Sequence, residues 1–153
     1  EEVHHAQLMG RSARARGATP PPVEVAAPRR RSLEALAIEN ATECVVGETW
    51  SALLAYWQAR HAPDPALRAI YATIADDELR HAELAREVDA WCQAQLRPAA
   101  RRRVELARRR AVARLARSVR NGPPAALVEE VGMPARAAMQ RLFTGARAQL
   151  WPA

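Results

Sequence analysis

The break Pro63-Asp64-Pro65 constrains this chain more than any other feature. Proline lacks a backbone N–H and fixes φ, so it cannot sit inside a helix, yet it opens one well at the first position. Asp64 ahead of Pro65 is a good N-cap. On both sides the apolar residues recur in steps of three and four. Leu36, Val46, Trp50, Leu53 and Trp57 precede the break and Leu67, Ile70, Ile74, Leu84, Val88 and Trp91 follow it, with Glu39 and Glu43, and Glu78 and His81, filling the intervening steps. That spacing marks a core-facing helical stripe. Two long helices joined by three residues run antiparallel. The chain is therefore expected to fold around a helical hairpin.

Nothing elsewhere argues for a strand. Apolar residues are 49% of the chain but aromatics only 5%, and alanine supplies much of the rest, a bias toward helix over sheet. Ser32 is the expected N-cap of the first long helix, and the second is expected to end near Leu96. Pro98 can open another through the arginine-rich stretch, which stops at Asn121-Gly122. Shorter helices are expected at roughly 124–131 and 135–150. Residues 1 to about 16 complete the set, ended by Gly17. The fold class is all-α. No apolar run is long enough to span a membrane.

Both expected stripes carry polar interruptions. Glu39 and Glu43 interrupt the first, and Glu78 with His81 the second. An ionised carboxylate in an apolar seam is costly unless it is paired or bound to a cation. Facing carboxylates also repel, and a divalent or trivalent metal removes that repulsion. Carboxylate with imidazole suits iron or manganese. The i, i+3 spacing of Glu78 and His81 puts both on one helical face. The same words occur at the start of the chain. Glu2, His5, Ala6 and Leu8 of EEVHHAQLMG match Glu78, His81, Ala82 and Leu84 of DELRHAEL. The alternative register, Glu1 with His4, has the same spacing.

One Glu from each of two helices and Glu-x-x-His from each of two others form the ligand set of di-metal helical bundles. On these residues the chain resembles the ferritin-like di-iron carboxylate superfamily, to which bacterioferritins and rubrerythrins belong. The resemblance covers residues 1–96. It implies a ferritin-like four-helix bundle holding two iron or manganese ions, with Glu2, His5, Glu43, Glu78 and His81 as ligands. Glu39, Glu48 and Asp77 are then flanking or rival groups. The family often has Tyr seven residues after its single Glu; Trp50 stands there in this chain, a departure. Dioxygen or peroxide would be the reactant, in an oxidoreductase whose substrate the sequence does not name.

The resemblance also assigns the proline-rich stretch 17–31 as a long crossover. Extended, it reaches roughly 45 Å at ~3.1 Å per residue, more than a bundle helix needs. The repeat places a further helix, with its own Glu, ahead of Glu1. Three bundle helices are then in view and the first is missing, so self-association through the exposed bundle face is expected. Residues 97–153 form an arginine-rich helical extension. An export signal cannot be assessed without that upstream segment, and the cytoplasm is the default location.

The rival reading is a non-catalytic helical interaction module whose metal site is vestigial, with Glu43, Glu78 and His81 bonding one another. Charge adds little to either. All 23 basic residues are arginine, and ten of them lie in residues 97–120 against one glutamate. Such a run is usually a solvated face. Dense arginine would suit phosphate, but the run has no aromatics for base stacking, which makes nucleic acid the lesser reading. Cys44 and Cys92 are expected at different heights on the hairpin and unpaired.

Overall fold

The computed structural model describes residues 1–22, 27 and 30–151, and no strand occurs among them. They form two compact units, Glu1–Arg31 and Ser32–Ala153. The first unit holds α1 (Glu2–Ala15). Its end is built by Gly17 at φ 80, whose N–H donates to the Arg14 carbonyl. That left-handed conformation is open to glycine at no steric cost. Of the expected crossover 17–31, residues 23–26 and 28–29 lie outside the described residues.

The second unit is built on the hairpin. Its first arm comprises α2 (Leu33–Glu39), a π-helical stretch (Asn40–Glu48) and α3 (Thr49–His61); its second is α4 (Pro65–Gln95). Ser32 Oγ accepts from the Ala35 N–H at 3.2 Å, and Asp64 Oδ1 from the Ala66 N–H at 2.8 Å. Each cap satisfies an N–H that would otherwise lack a partner, an effect of about 1 kcal/mol. Arg68 Nη1 closes the turn on the carbonyls of Ala62 and Pro63, at 2.6 and 3.0 Å. Beyond the hairpin come α5 (Pro98–Asn121), α6 (Ala125–Val131) and α7 (Arg136–Gln149).

The arms meet along a different line from the expected stripes. On α4 the buried residues are Leu67, Tyr71, Ala75, Asp77, Glu78, Ala82, Ala85 and Cys92, while Leu84 is 57% and Trp91 55% exposed. On the first arm Ala37, Ala41, Val45, Ala52 and Ala55 are buried, and Glu39 and Glu43 are exposed. Alanine explains the first difference. Its short side chain lets two helix axes approach closely, so an alanine line faces the partner and bulkier residues flank it. The π stretch explains the second. Its wider turns take more residues than α turns, so positions before and after it no longer share a face at α spacing.

Residues 97–151 are packed into the same unit as the hairpin. One core joins Ala37, Ala41, Cys92 and Leu96 to Ala100 and Val104 of α5. A second joins Val46 to Ala111 and Val119 of α5, to Met139, Phe143 and Ala146 of α7, and to Trp151. Burying a side chain such as Phe143 stabilises the fold by about 1.5–3 kcal/mol. Gly132 at φ 70 seats the loop after α6 on the hairpin turn. A Cβ there would stand 2.4 Å from Ala62 Cα, so no other residue fits without backbone movement.

Two arginines of the basic run fasten α5 to the two arms. Arg103 makes a two-pronged pair with Glu34, at 2.6 and 2.7 Å, and Arg108 reaches Asp89 at 2.6 Å. The solvated face expected of this run therefore has a structural share.

Candidate metal-ligand residues

Both copies of Glu-x-x-His lie on helices, which fixes their side chains one turn apart on a common face. In α1, His5 Nδ1 is 3.6 Å from Glu2 Oε1. His5 is buried and His4 exposed, so the two registers have different surroundings. In α4, Glu78 is buried and His81 half-buried. Asp77, expected as a flanking or rival group, is buried as well; it forms an ion pair with Arg80 one turn on.

The first arm carries the remaining carboxylates. Glu39 and Glu43 are exposed, and Glu48 is half-buried. The Thr42 hydroxyl lies 3.2 Å from the Glu39 carbonyl oxygen and 3.3 Å from Glu43 Oε1, so its one proton can serve either acceptor. Cys44 sits among these acids. Burial first, then the charge and hydrogen bond of Glu48, then Glu39 and Glu43, push its thiol up to about 11. It is thus a neutral thiol at physiological pH and a poor nucleophile. Both cysteines are free.

Trp50 faces away from this chemistry. Its ring meets Phe143 edge-on at 6.2 Å, within the core shared with α7. Asn40, which sequence reasoning did not single out, is a buried polar tie across the hairpin. Its Nδ2 donates to the Ala85 carbonyl at 2.8 Å. The signal available for it was an amide inside an alanine-rich helical stretch.

The donor types fit iron or manganese, with carboxylate oxygens and imidazole nitrogens in one-turn pairs. Within Ser32–Ala153, no three carboxylate, imidazole or thiolate donors of the described residues lie mutually within 4.8 Å. Glu43, Glu78 and His81 therefore do not make a three-donor cluster by themselves. A metal held in this unit alone would have the Glu78 and His81 pair and would need further donors. No helix among the described residues is long and apolar enough to cross a membrane. Comparison with protein families, characterised proteins and solved structures gives no match.

Proposed function

We propose that the chain is a ferritin-like di-metal carboxylate protein with dioxygen- or peroxide-linked oxidoreductase activity. One observation supports this reading above others: the duplicated Glu-x-x-His, each copy set on one face of a helix. In this reading Glu2 and His5 from one copy, and Glu78 and His81 from the other, hold two iron or manganese ions with Glu43 as the single carboxylate. Glu48 is the rival to Glu43, being half-buried where Glu43 is exposed. The ions, when bound, supply the redox chemistry toward dioxygen or peroxide.

The chain's own residues have simpler roles. The carboxylates neutralise the cations, and the imidazoles donate as neutral bases. Asp77 is held by Arg80, which offsets one buried negative charge next to Glu78. Burial and then its acidic neighbours push the Cys44 thiol up to about 11, so it is protonated at neutral pH.

A second reading has an observation of its own. Leu84 and Trp91 are more than half exposed and sit two turns apart on α4, with half-buried Val88 between them. Such a stripe suits a helical interaction module. Metal analysis of the purified full chain separates the two. About two iron or manganese ions per chain, reduced by Glu78→Gln and by His81→Ala, are expected. Clean folded protein with only trace metal would remove the di-metal reading and leave the interaction module.

A further inference from the structure

A groove of about 630 Å³ lies between α5 and the end of α7. That is the size of a small-molecule site, which usually measures several hundred Å³. Its lining splits by chemistry. Val112, Ala116, Leu150 and Trp151 are apolar, and five arginines and one glutamate stand with them. Trp151 is fixed from behind: its indole N–H donates to the Val45 carbonyl at 3.3 Å, and its ring centroid is 6.4 Å from that of Phe143. The apolar part is therefore preformed.

The arginines are unequally committed. Arg108 is paired with Asp89 and Glu105, and Arg109 with Glu105. Among the described residues, Arg117, Arg120 and Arg147 have no acidic partner. The acid that lines the groove is already shared by two other arginines. Three arginines without an acidic partner among the described residues thus line one preformed apolar groove. Arginine is the side chain best shaped to grip a carboxylate or phosphate, through parallel N–H donors.

We propose that this groove binds a small amphipathic anion. The apolar body lies on Val112, Ala116, Leu150 and Trp151, and a single carboxylate or phosphate head is held by Arg117, Arg120 and Arg147. Duplex nucleic acid is the poorer match. Its phosphates need a track of cations on an open face and have no use for an apolar floor.

The full chain is titrated calorimetrically with decanoate and decyl phosphate, below their micellar concentrations, and with decanol, acetate and inorganic phosphate. Saturable binding of one chain-bearing anion is expected, with decanol and the two small anions weaker by about tenfold or more. The order of decanoate and decyl phosphate tells which head the arginines prefer. Arg117→Gln with Arg147→Gln should weaken decanoate about tenfold and leave decanol unchanged. Ala113→Trp, at an exposed position lining the groove, should weaken both by filling the space, with its thermal melt confirming the fold. Three results would each overturn the proposal: no saturable binding of either amphiphile, inorganic phosphate binding as tightly as decyl phosphate, or full affinity in the double arginine variant. Binding to anionic vesicles or duplex DNA without binding to monomeric decanoate would also overturn it, in favour of an extended polyanionic surface.

Discussion

The two arms of the hairpin are of similar length and share one interface, yet only one is a regular helix. α4 runs unbroken from Pro65 to Gln95, and its interior is dominated by alanine, leucine, glutamate and arginine, which are good helix formers. The first arm passes through a π stretch at Asn40–Glu48. There Thr42, Val45, Val46 and Gly47 follow closely, and β-branched residues and glycine weaken α propensity. The chemistry follows the geometry. The regular arm buries Asp77 and Glu78, whereas the π arm leaves Glu39 and Glu43 in solvent. A polar residue keeps its place on a face only while the helix keeps its period.

This contrast can be broken where the arms join. Gly132→Ala would drive a Cβ into Ala62 at the turn and force a left-handed conformation on alanine. A loss of about 3 kcal/mol or more is expected in urea unfolding. A near-neutral result would show that the loop after α6 can lift off the turn freely.

Asn40→Leu tests the tie between π stretch and regular arm. The swap keeps the forked side-chain shape, with somewhat larger arms, but removes the donor to the Ala85 carbonyl, so about 1–2 kcal/mol should be lost. An unchanged melt would mean that the alanine interface alone sets the register. Gly47→Ala goes the other way. The added Cβ would meet the Thr42 carbonyl oxygen at 3.8 Å, an ordinary contact. A gain of about 0.5–1 kcal/mol is expected from reduced unfolded-state freedom. Destabilisation instead would show that the π stretch depends on a residue without a side chain.

The smallest effect concerns how each arm is fastened to α5. The hydrogen bond from Arg103 holds the Glu34 carboxyl below its ordinary value. A lowered carboxyl contributes stability that is present above its unfolded value, near 4.5, and lost as pH falls through its folded value. Glu34→Gln should therefore melt slightly earlier than the parent at pH 7 and no earlier at strongly acidic pH. An equal difference at both would assign the effect to packing.

Much of the scaffold is legible in the sequence because caps and prolines act locally. Ser32, Asp64, Pro65, Pro98 and Gly122 each sit where helix ends require them, and the observed ends agree. What is not legible depends on phase and on distant partners. The i, i+3 pairing of Glu78 with His81 follows from one helix. The surroundings of Glu43 depend on a π stretch that no single residue announces. The pairs of Arg103 with Glu34 and Arg108 with Asp89 are likewise invisible in a run that reads only as charge.

The hydrogen bond from the Trp151 indole to the Val45 carbonyl joins residues 106 positions apart. Contacts within the hairpin are local by comparison, and local contacts lose less loop entropy when they form. The hairpin is thus expected to assemble early, leaving the apolar side of its π stretch uncovered until Phe143 and Trp151 arrive. Trp151→Phe should then speed unfolding while leaving the refolding rate nearly unchanged. During that interval the exposed surface around Val46 is where a partly folded chain would be most prone to aggregate.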